Sequence, residues 1–309
     1  MPAPALLLGL LADELFGDPR QGHPVAGFGR LAQALERRTW RDDQLAGIAH
    51  EAILVGGVAG AAAALQRATT GTGWRLPVTV AATWVVLGGS SLRREAAAVD
   101  ALLSADDLPA ARQRIRNLVG RDPSNLAADE LARACVESVA ENTSDAVVAP
   151  LFWGAVAGLP GLLGYRAVNT LDAMIGHRTP RYRNFGWAAA RLDDLANWIP
   201  ARLCTALTIA AAPLVGGSST AALRAVRRDA HHHPSPNAGP VEAAFAGALG
   251  VRLGGRNSYQ GQVEDRGTLG DGPPVTRADI VRANRLALIV SLGAAATAAL
   301  LGRTPRLAK

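Results

Sequence analysis

Residues 133–202 read RACVESVAENTSDAVVAPLFWGAVAGLPGLLGYRAVNTLDAMIGHRTPRYRNFGWAAARLDDLANWIPAR, and the rest of the chain is best read outward from them. Acids, amides and arginines alternate here with membrane-grade apolar runs, where a purely structural segment would carry few of them. Arg133, Glu137, Glu141 and Asp145 recur every fourth residue. At 100° per residue they span about a third of a helix circumference and share one face. Carboxylates stacked in this way repel unless a cation, a substrate amine or a buried proton offsets them. A solvated face with one Arg–Glu pair is the plainer alternative. Two further clusters follow: Asn169, Asp172 and Gly176 in NTLDAMIG, and Arg191, Asp193, Asp194 and Asn197 in ARLDDLANWIPAR, a predicted helix that Pro200 ends or kinks. Three such helices flanked by apolar segments predict a polar site inside a helical bundle.

Working outward, residues 48–66 (IAHEAILVGGVAGAAAALQ) form the first predicted span, with His50 and Glu51 at its interfacial end. Gly56 and Gly60 give it a small-xxx-small pattern suited to close helix packing in lipid. A second span is predicted near 76–91, others at 203–217, broken by Pro213, and at 286–302. Residues 146–168 are apolar but carry Pro150, Gly154, Gly158, Pro160 and Gly161, which predicts a segment that dips and returns rather than a plain crossing. The polar regions 92–145 and 218–285 connect these segments, the first as two amphipathic helices, the second as a long segment holding the turn-rich HPSPNAG. Residues 1–17 are apolar over about a dozen positions, too short to span, and have no signal-peptide pattern. Asp13, Asp18 and His23 are candidate site residues in and after this run. The expectation is an all-α, polytopic membrane bundle, one membrane-embedded domain over 1–309, with amphipathic and re-entrant helices around a polar site.

Composition narrows the chemistry. All but one of the 32 basic residues are arginine, the exception being Lys309. That removes the P-loop lysine and Schiff-base chemistry. The net charge of +6 comes with few aromatics among the arginines and no nucleic-acid-binding motif, so a positive-inside membrane bias explains it better than nucleic acid does. Cys135 and Cys204 read as small core residues, and His231, His232 and His233 stand at no familiar metal spacing. Ser235, Asn237 and Gly239 in the HPSPNAG loop can offer donors to an anion.

Several of these pieces together carry a resemblance. GDPRQGHPV (17–25), GRD (120–122), RACVESVAENTSDAVVAPLF (133–152) and YRAVNTLDAMIGHR (165–178) are among them. FGWAAARLDDLANWIPARL (185–203) and HPSPNAG with AGALGVRLGG (233–255) complete the set. In this order they are similar to the CobD/CbiB family of cobalamin biosynthesis, the adenosylcobinamide-phosphate synthases. The triple histidine and the proline of Asp122-Pro123 are local departures. The resemblance implies a multi-span inner-membrane enzyme with its site facing the cytoplasm. It implies ATP-dependent ligation, with Mg²⁺, of the corrinoid adenosylcobyric acid to the amino alcohol (R)-1-amino-2-propanol or its O-phosphate, giving adenosylcobinamide or its phosphate. Expected partners are those small molecules, membrane lipid and other membrane-bound corrinoid-assembly enzymes.

The residues suit that chemistry, because a carboxylate and an amine condense in water only after activation, most simply as an acyl phosphate. Phosphoryl transfer calls for Mg²⁺-binding carboxylates and for arginines on the phosphates. Glu141, Asp145, Asp172, Asp193 and Asp194 are the candidate metal ligands, and Glu137, Glu141, Asp145, Asp193 and His23 the candidate catalytic groups, with His177 a further possible base. Arg178, Arg181, Arg191 and Arg202, with Asn142, Asn169, Asn197, Ser235 and Asn237, are the candidate nucleotide- and phosphate-binding groups. Two rivals fit less of the chain. An intramembrane Mg²⁺-dependent prenyltransferase leaves GDPRQGHPV and HPSPNAG unexplained, and a corrinoid transporter with broken helices lacks an inverted repeat.

Overall fold

The computed structural model describes residues 3–19, 22–120, 122–177, 179–259 and 262–302. In chain order α1 is Ala3–Phe16, α2 Pro24–Thr39, α3 Gln44–Thr69, α4 Arg75–Val86, α5 Gly89–Ser104, α6 Leu108–Ile115 and α7 Ala128–Thr143. A π-helical turn, Ser144–Val148, leads into α8 (Ala149–Ile175). After α9 (Trp187–Ala211) come α10 (Ser219–Asp229), α11 (Ala238–Leu249), the strands β1 (Leu253–Tyr259) and β2 (Gln262–Leu269), and α12 (Arg277–Leu301). The helices start where short polar side chains satisfy their first free N–H groups. Asp43 accepts from Ala46 N at 2.9 Å, Asp107 from Ala110 N at 3.0 Å and Ser218 from Ala221 N at 3.3 Å.

The bundle is helical apart from one antiparallel hairpin, in which Leu253 faces Leu269 and Tyr259 faces Gln262. Four stretches among the described residues are long and apolar enough to cross a membrane: Gln44–Thr69, Ala128–Ile175, Trp187–Val215 and Arg277–Leu301. The span expected at 76–91 is absent. The chain breaks at Leu87-Gly88, and the 12 residues of α4 reach only about 18 Å, against roughly 30 Å of hydrocarbon. Pro200 does not end its helix, since α9 runs through it to Ala211. Residues 92–145 hold three helices rather than two, and the polar stretch 218–285 hides α11, whose Val241, Phe245 and Leu249 are buried.

The chain divides into two compact units. The first comprises Met1–Gly88, Asp145–Asn197 and Ala295–Lys309. In it α3 packs on α8 around buried Ala32, Leu54, Leu171, Ile175, Phe185 and Ala189, and α1 packs on α4. Gly47 lets α3 approach the Phe185 carbonyl, where a Cβ would collide. Gly56 and Gly60 have nothing within 4 Å of where their Cβ atoms would be, so this small-residue stripe packs against no described residue.

Within α8 the helix is broken at Gly158, whose φ of 77° and ψ of −154° are open to glycine and strained for other residues. The two arms fold back on each other. A Cβ on Gly161 would strike the Trp153 carbonyl, eight residues away, which a straight helix would hold about 12 Å off. Gln66 of α3 seals the break, its Oε1 accepting from Leu159 N at 2.9 Å.

The second unit comprises Gly89–Ser144 and Trp198–Ala294. Its centre is α11, buried between α10 and α7. Asp229 at the end of α10 accepts from Gly270 N at 2.8 Å and pairs with Arg228 at 2.6 Å. Arg282 of α12 donates to the Leu249 carbonyl and to Asp279, both at 2.8 Å.

Candidate functional site

In the first unit, the arm of α8 after the break presents Tyr165, Asn169 and Asp172 at helical spacing, and α9 presents Asp193 and Asn197. The two sets form one network. Tyr165 Oη donates to Asn197 Oδ1 at 2.8 Å and Asn197 Nδ2 donates to Asp193 Oδ2 at 3.0 Å. Asn169 Nδ2 reaches Asp193 Oδ1 at 3.4 Å, and Arg166 Nη1 reaches Asn169 Oδ1 at 3.4 Å, both long contacts. Each oxygen of Asp193 is therefore met by an amide, and Asn197 and Tyr165 are buried, 1% and 4% exposed. Such a network fixes a side chain because every alternative orientation leaves a buried polar atom unsatisfied.

The charge of Asp172 bears on Asp193. Both bear on Glu51 of α3, which is 4% exposed and whose two carboxylate oxygens have no hydrogen-bond partner among the described residues. Glu51 is therefore buried within reach of the charges of these carboxylates. Its neighbour His50 meets Thr39 Oγ1 at 2.8 Å and packs on Phe185. The charges of Asp18 and Asp145 act on Arg166, so these two candidates belong to the surroundings of the same network.

The other candidates of this unit have local duties. His23 Nδ1 accepts from Val25 N at 3.2 Å and caps α2. Arg181 donates to Glu36 at 2.8 Å, lies 4.7 Å above the Trp40 ring and so clips the α8–α9 loop to α2. Arg191 pairs loosely with Asp194 at 3.7 Å and is exposed. Arg178 lies outside the described residues.

In the second unit, Glu137 accepts from Gly254 N at 2.9 Å and pairs with Arg133 at 3.0 Å, while Arg133 also donates to the Gly254 carbonyl. This is a latch on the base of the hairpin. Glu141 is half-buried one turn further on, and Asn142 Nδ2 donates to the Ser138 carbonyl at 2.9 Å. Ser235 Oγ accepts from Asn237 N at 3.3 Å and Ala238 N at 3.1 Å, which caps α11. Asn237 Oδ1 accepts from Arg202 at 2.7 Å, and Arg202 lies 4.8 Å above the Trp198 ring.

Of the three consecutive histidines only His233 is buried; its Nδ1 accepts from Ser235 N at 3.0 Å. Its Nε2 stands 3.6 Å from Glu242 Oε1, which Arg266 approaches at 3.7 Å. Burial, and then the charge of Arg266, push the His233 pKa down to about 4.

The sequence-predicted set thus divides between the units, and the first unit brings Asn169, Asp172, Asp193 and Asn197 together. Sequence reasoning missed Tyr165, Arg166, Glu36 and Glu242 altogether, and gave Glu51 no part in the site. For Glu51 the available signal was an acid inside an otherwise apolar span, which is expensive unless it functions.

A family model described as CobD/Cbib protein matches residues 6–287. The chain is 54% identical over 299 residues to "Cobalamin biosynthesis protein CobD" of Mycobacterium tuberculosis (strain ATCC 25618 / H37Rv), covering 97% of this chain and 95% of that one. It is 46% identical over 272 residues to the protein of that name from Geobacter metallireducens, covering 86% of each. With that of Chromobacterium violaceum it shares 46% over 291 residues, covering 91% and 90%. No solved structure matches the chain.

Proposed function

Since this chain belongs to the CobD/Cbib family and so has a role in cobalamin biosynthesis, we propose that it is an amide-forming ligase. It joins a propionate carboxyl of adenosylcobyric acid to (R)-1-amino-2-propanol or its O-phosphate at the expense of ATP. The observation that supports this reading is the immobilised, half-buried Asp193, whose two oxygens are held by Asn169 and Asn197 and on which the charge of Asp172 acts.

In the reaction a propionate oxygen attacks the γ-phosphorus of ATP, the bond to the bridging oxygen breaks, and ADP departs. The amine nitrogen then attacks the acyl carbon, and the carbon–oxygen bond to phosphate breaks as the amide forms. The nitrogen sheds its protons to a protein carboxylate or imidazole and to the departing phosphate. Asp193, its two oxygens fixed by Asn169 and Asn197, holds charge at a set position and needs no rearrangement during the step. Arg178 and Arg191 remain proposed phosphate-binding groups and Asp145 a further catalytic candidate. Within the second unit by itself Asn142, Asn237 and Arg202 stay candidates for phosphate and Glu141 for catalysis, whereas Glu137, Ser235 and His23 are taken up by a latch and two caps. Arg181 is committed to Glu36, which suits a clip better than a phosphate ligand.

Hard carboxylate and amide oxygens suit Mg²⁺, which is commonly held by one or two carboxylates together with waters and substrate phosphates. Among the described residues no three acidic, histidine or cysteine side chains converge closely enough to grip a metal ion by themselves. Asp172 and Asp193 would hold Mg²⁺, with Asp194 and Asp145 of the same unit as further candidates. When bound, it would neutralise charge on the phosphates. The proposed location is the inner (plasma) membrane, with the site on the cytoplasmic side and other corrinoid-assembly enzymes as neighbours.

The test is to incubate purified, detergent-solubilised protein with adenosylcobyric acid, MgATP and each amine in turn, and to read products by mass spectrometry. An amide product that appears only with ATP is expected. Its absence with both amines refutes the proposal.

A further inference from the structure

The outer face of α10, in the second unit, holds arginines that the ligase reading does not use. Ala222, Ala225 and Asp229 are buried on its inner face, and the helix packs on α11. Thr220, Leu223, Arg224 and Arg227 recur at i, i+3, i+4 and i+7, so they share the opposite face. With Arg228 they line a shallow groove of about 400 Å³, and all five are exposed. Arg228 is committed to Asp229 and Asp271. The charge of Arg224 acts on Asp271, but neither Arg224 nor Arg227 makes a hydrogen bond or an ion pair among the described residues.

The surroundings of this face say what meets it. The apolar stretch Trp187–Val215, long enough to cross a membrane, ends four residues before α10 begins at Ser219. Gly216, with a φ of 75°, turns the chain between them. Arg282, near the start of the spanning-length helix α12, donates to the Val215 carbonyl at 3.4 Å. Two crossing segments of this unit therefore end side by side where α10 starts, and the arginines of α10 lie within about 15 residues of a span end, where basic side chains meet the lipid surface. Leu214 and Leu223, 57% and 36% exposed, set apolar surface beside the arginines. We propose that this face of α10 docks the headgroup phosphate of anionic membrane lipids, held by Arg224 and Arg227. Guanidinium groups meet phosphate oxygens with paired, charge-assisted hydrogen bonds. A shallow, open groove suits a headgroup presented at high density by the adjoining bilayer, whereas a soluble ligand is ordinarily enclosed.

The experiment uses the full chain in detergent, supplied with equal amounts of phosphatidylglycerol and phosphatidylcholine, and counts retained lipids by native mass spectrometry. Wild type is expected to retain phosphatidylglycerol in preference. Each arginine lost should weaken that retention about five-fold, so Arg224→Gln with Arg227→Gln should weaken it about twenty-fold and leave phosphatidylcholine unchanged. Lysine at both positions keeps the charge and should keep most of the preference. Arg114→Gln, an arginine of the same unit already paired with Glu95, should not alter it. Wild-type phosphatidylglycerol retention in the double glutamine variant overturns the proposal. Should that variant not fold, the two single glutamine variants are read in the same way. Thermal melting with inorganic phosphate and with ATP separates a soluble occupant. Protection by either that vanishes in the double glutamine variant, with lipid retention unchanged, would replace the lipid with a soluble phosphate and overturn the proposal too. None of these outcomes depends on whether the protein forms the amide.

Discussion

Tyr165 shows how one hydroxyl can decide the state of a carboxylate it does not touch. It donates to Asn197 at 2.8 Å, and that fixes which face of the amide donates to Asp193. Tyr165→Phe removes the donor and leaves Asn197 free to turn. The expected loss is about 1 kcal/mol of stability, read by melting, together with a fall in turnover larger than the change in apparent substrate affinity. An unaltered rate would show that Asp193 does not need the network. His233 makes a prediction about pH. Its folded pKa of about 4 lies below the ordinary value of 6.5, so between those values the unfolded chain takes up a proton that the folded one refuses. Stability from this residue is therefore full above pH 6.5, falls as the pH drops towards 4, and levels off below, by on the order of 3 kcal/mol. Glu242 and Arg266 face the same ring, so the clean measurement is the difference between wild type and His233→Gln in melting temperature at pH 7.5 and 4.5. A variant with the same acid sensitivity would assign the effect elsewhere.

At the scale of elements, the fold-back in α8 was legible as a density of glycine and proline, but its position was not. Pro160 looks like the breaker in the sequence. The chain instead turns at Gly158, because a positive φ is open to glycine and because Gln66 stands ready to take the exposed Leu159 N–H. Gln66→Ala should cost about 1–3 kcal/mol by stranding that donor in apolar surroundings. Gly158→Ala should cost at least as much, since it adds backbone strain and a collision with the Gln66 side chain. Thermal melting in detergent checks both, and wild-type melting in Gln66→Ala would mean that the break is sealed by something other than this side chain. The misplaced span at 76–91 has a similar cause. Hydropathy sees apolar residues on either side of Leu87-Gly88 but not the extended backbone at Leu87 that divides α4 from α5.

For the whole molecule, Glu137 and Asp193 contrast a latch with a site. Glu137→Gln weakens a charge-assisted bond to Gly254 and an ion pair with Arg133, so it is expected to lower the melting temperature of the second unit. Asp193→Asn should leave melting close to wild type and abolish amide formation. The reverse pattern would exchange their roles. The sequence by itself determined the family, the helical membrane class, most of the apolar spans, and Asn169, Asp193 and Asn197 of the network on α8 and α9. The family follows from the resemblance of its ordered motifs, and the others from composition and from spacing along one helix, which depend only on near neighbours. Only the tertiary structure decided that Ser235 is a cap, that Arg181 is a clip, and that Glu51 is buried where the charges of Asp172 and Asp193 act on it. Partners brought together from distant parts of the chain are set by how helix faces pack, and no spacing within a single segment encodes that.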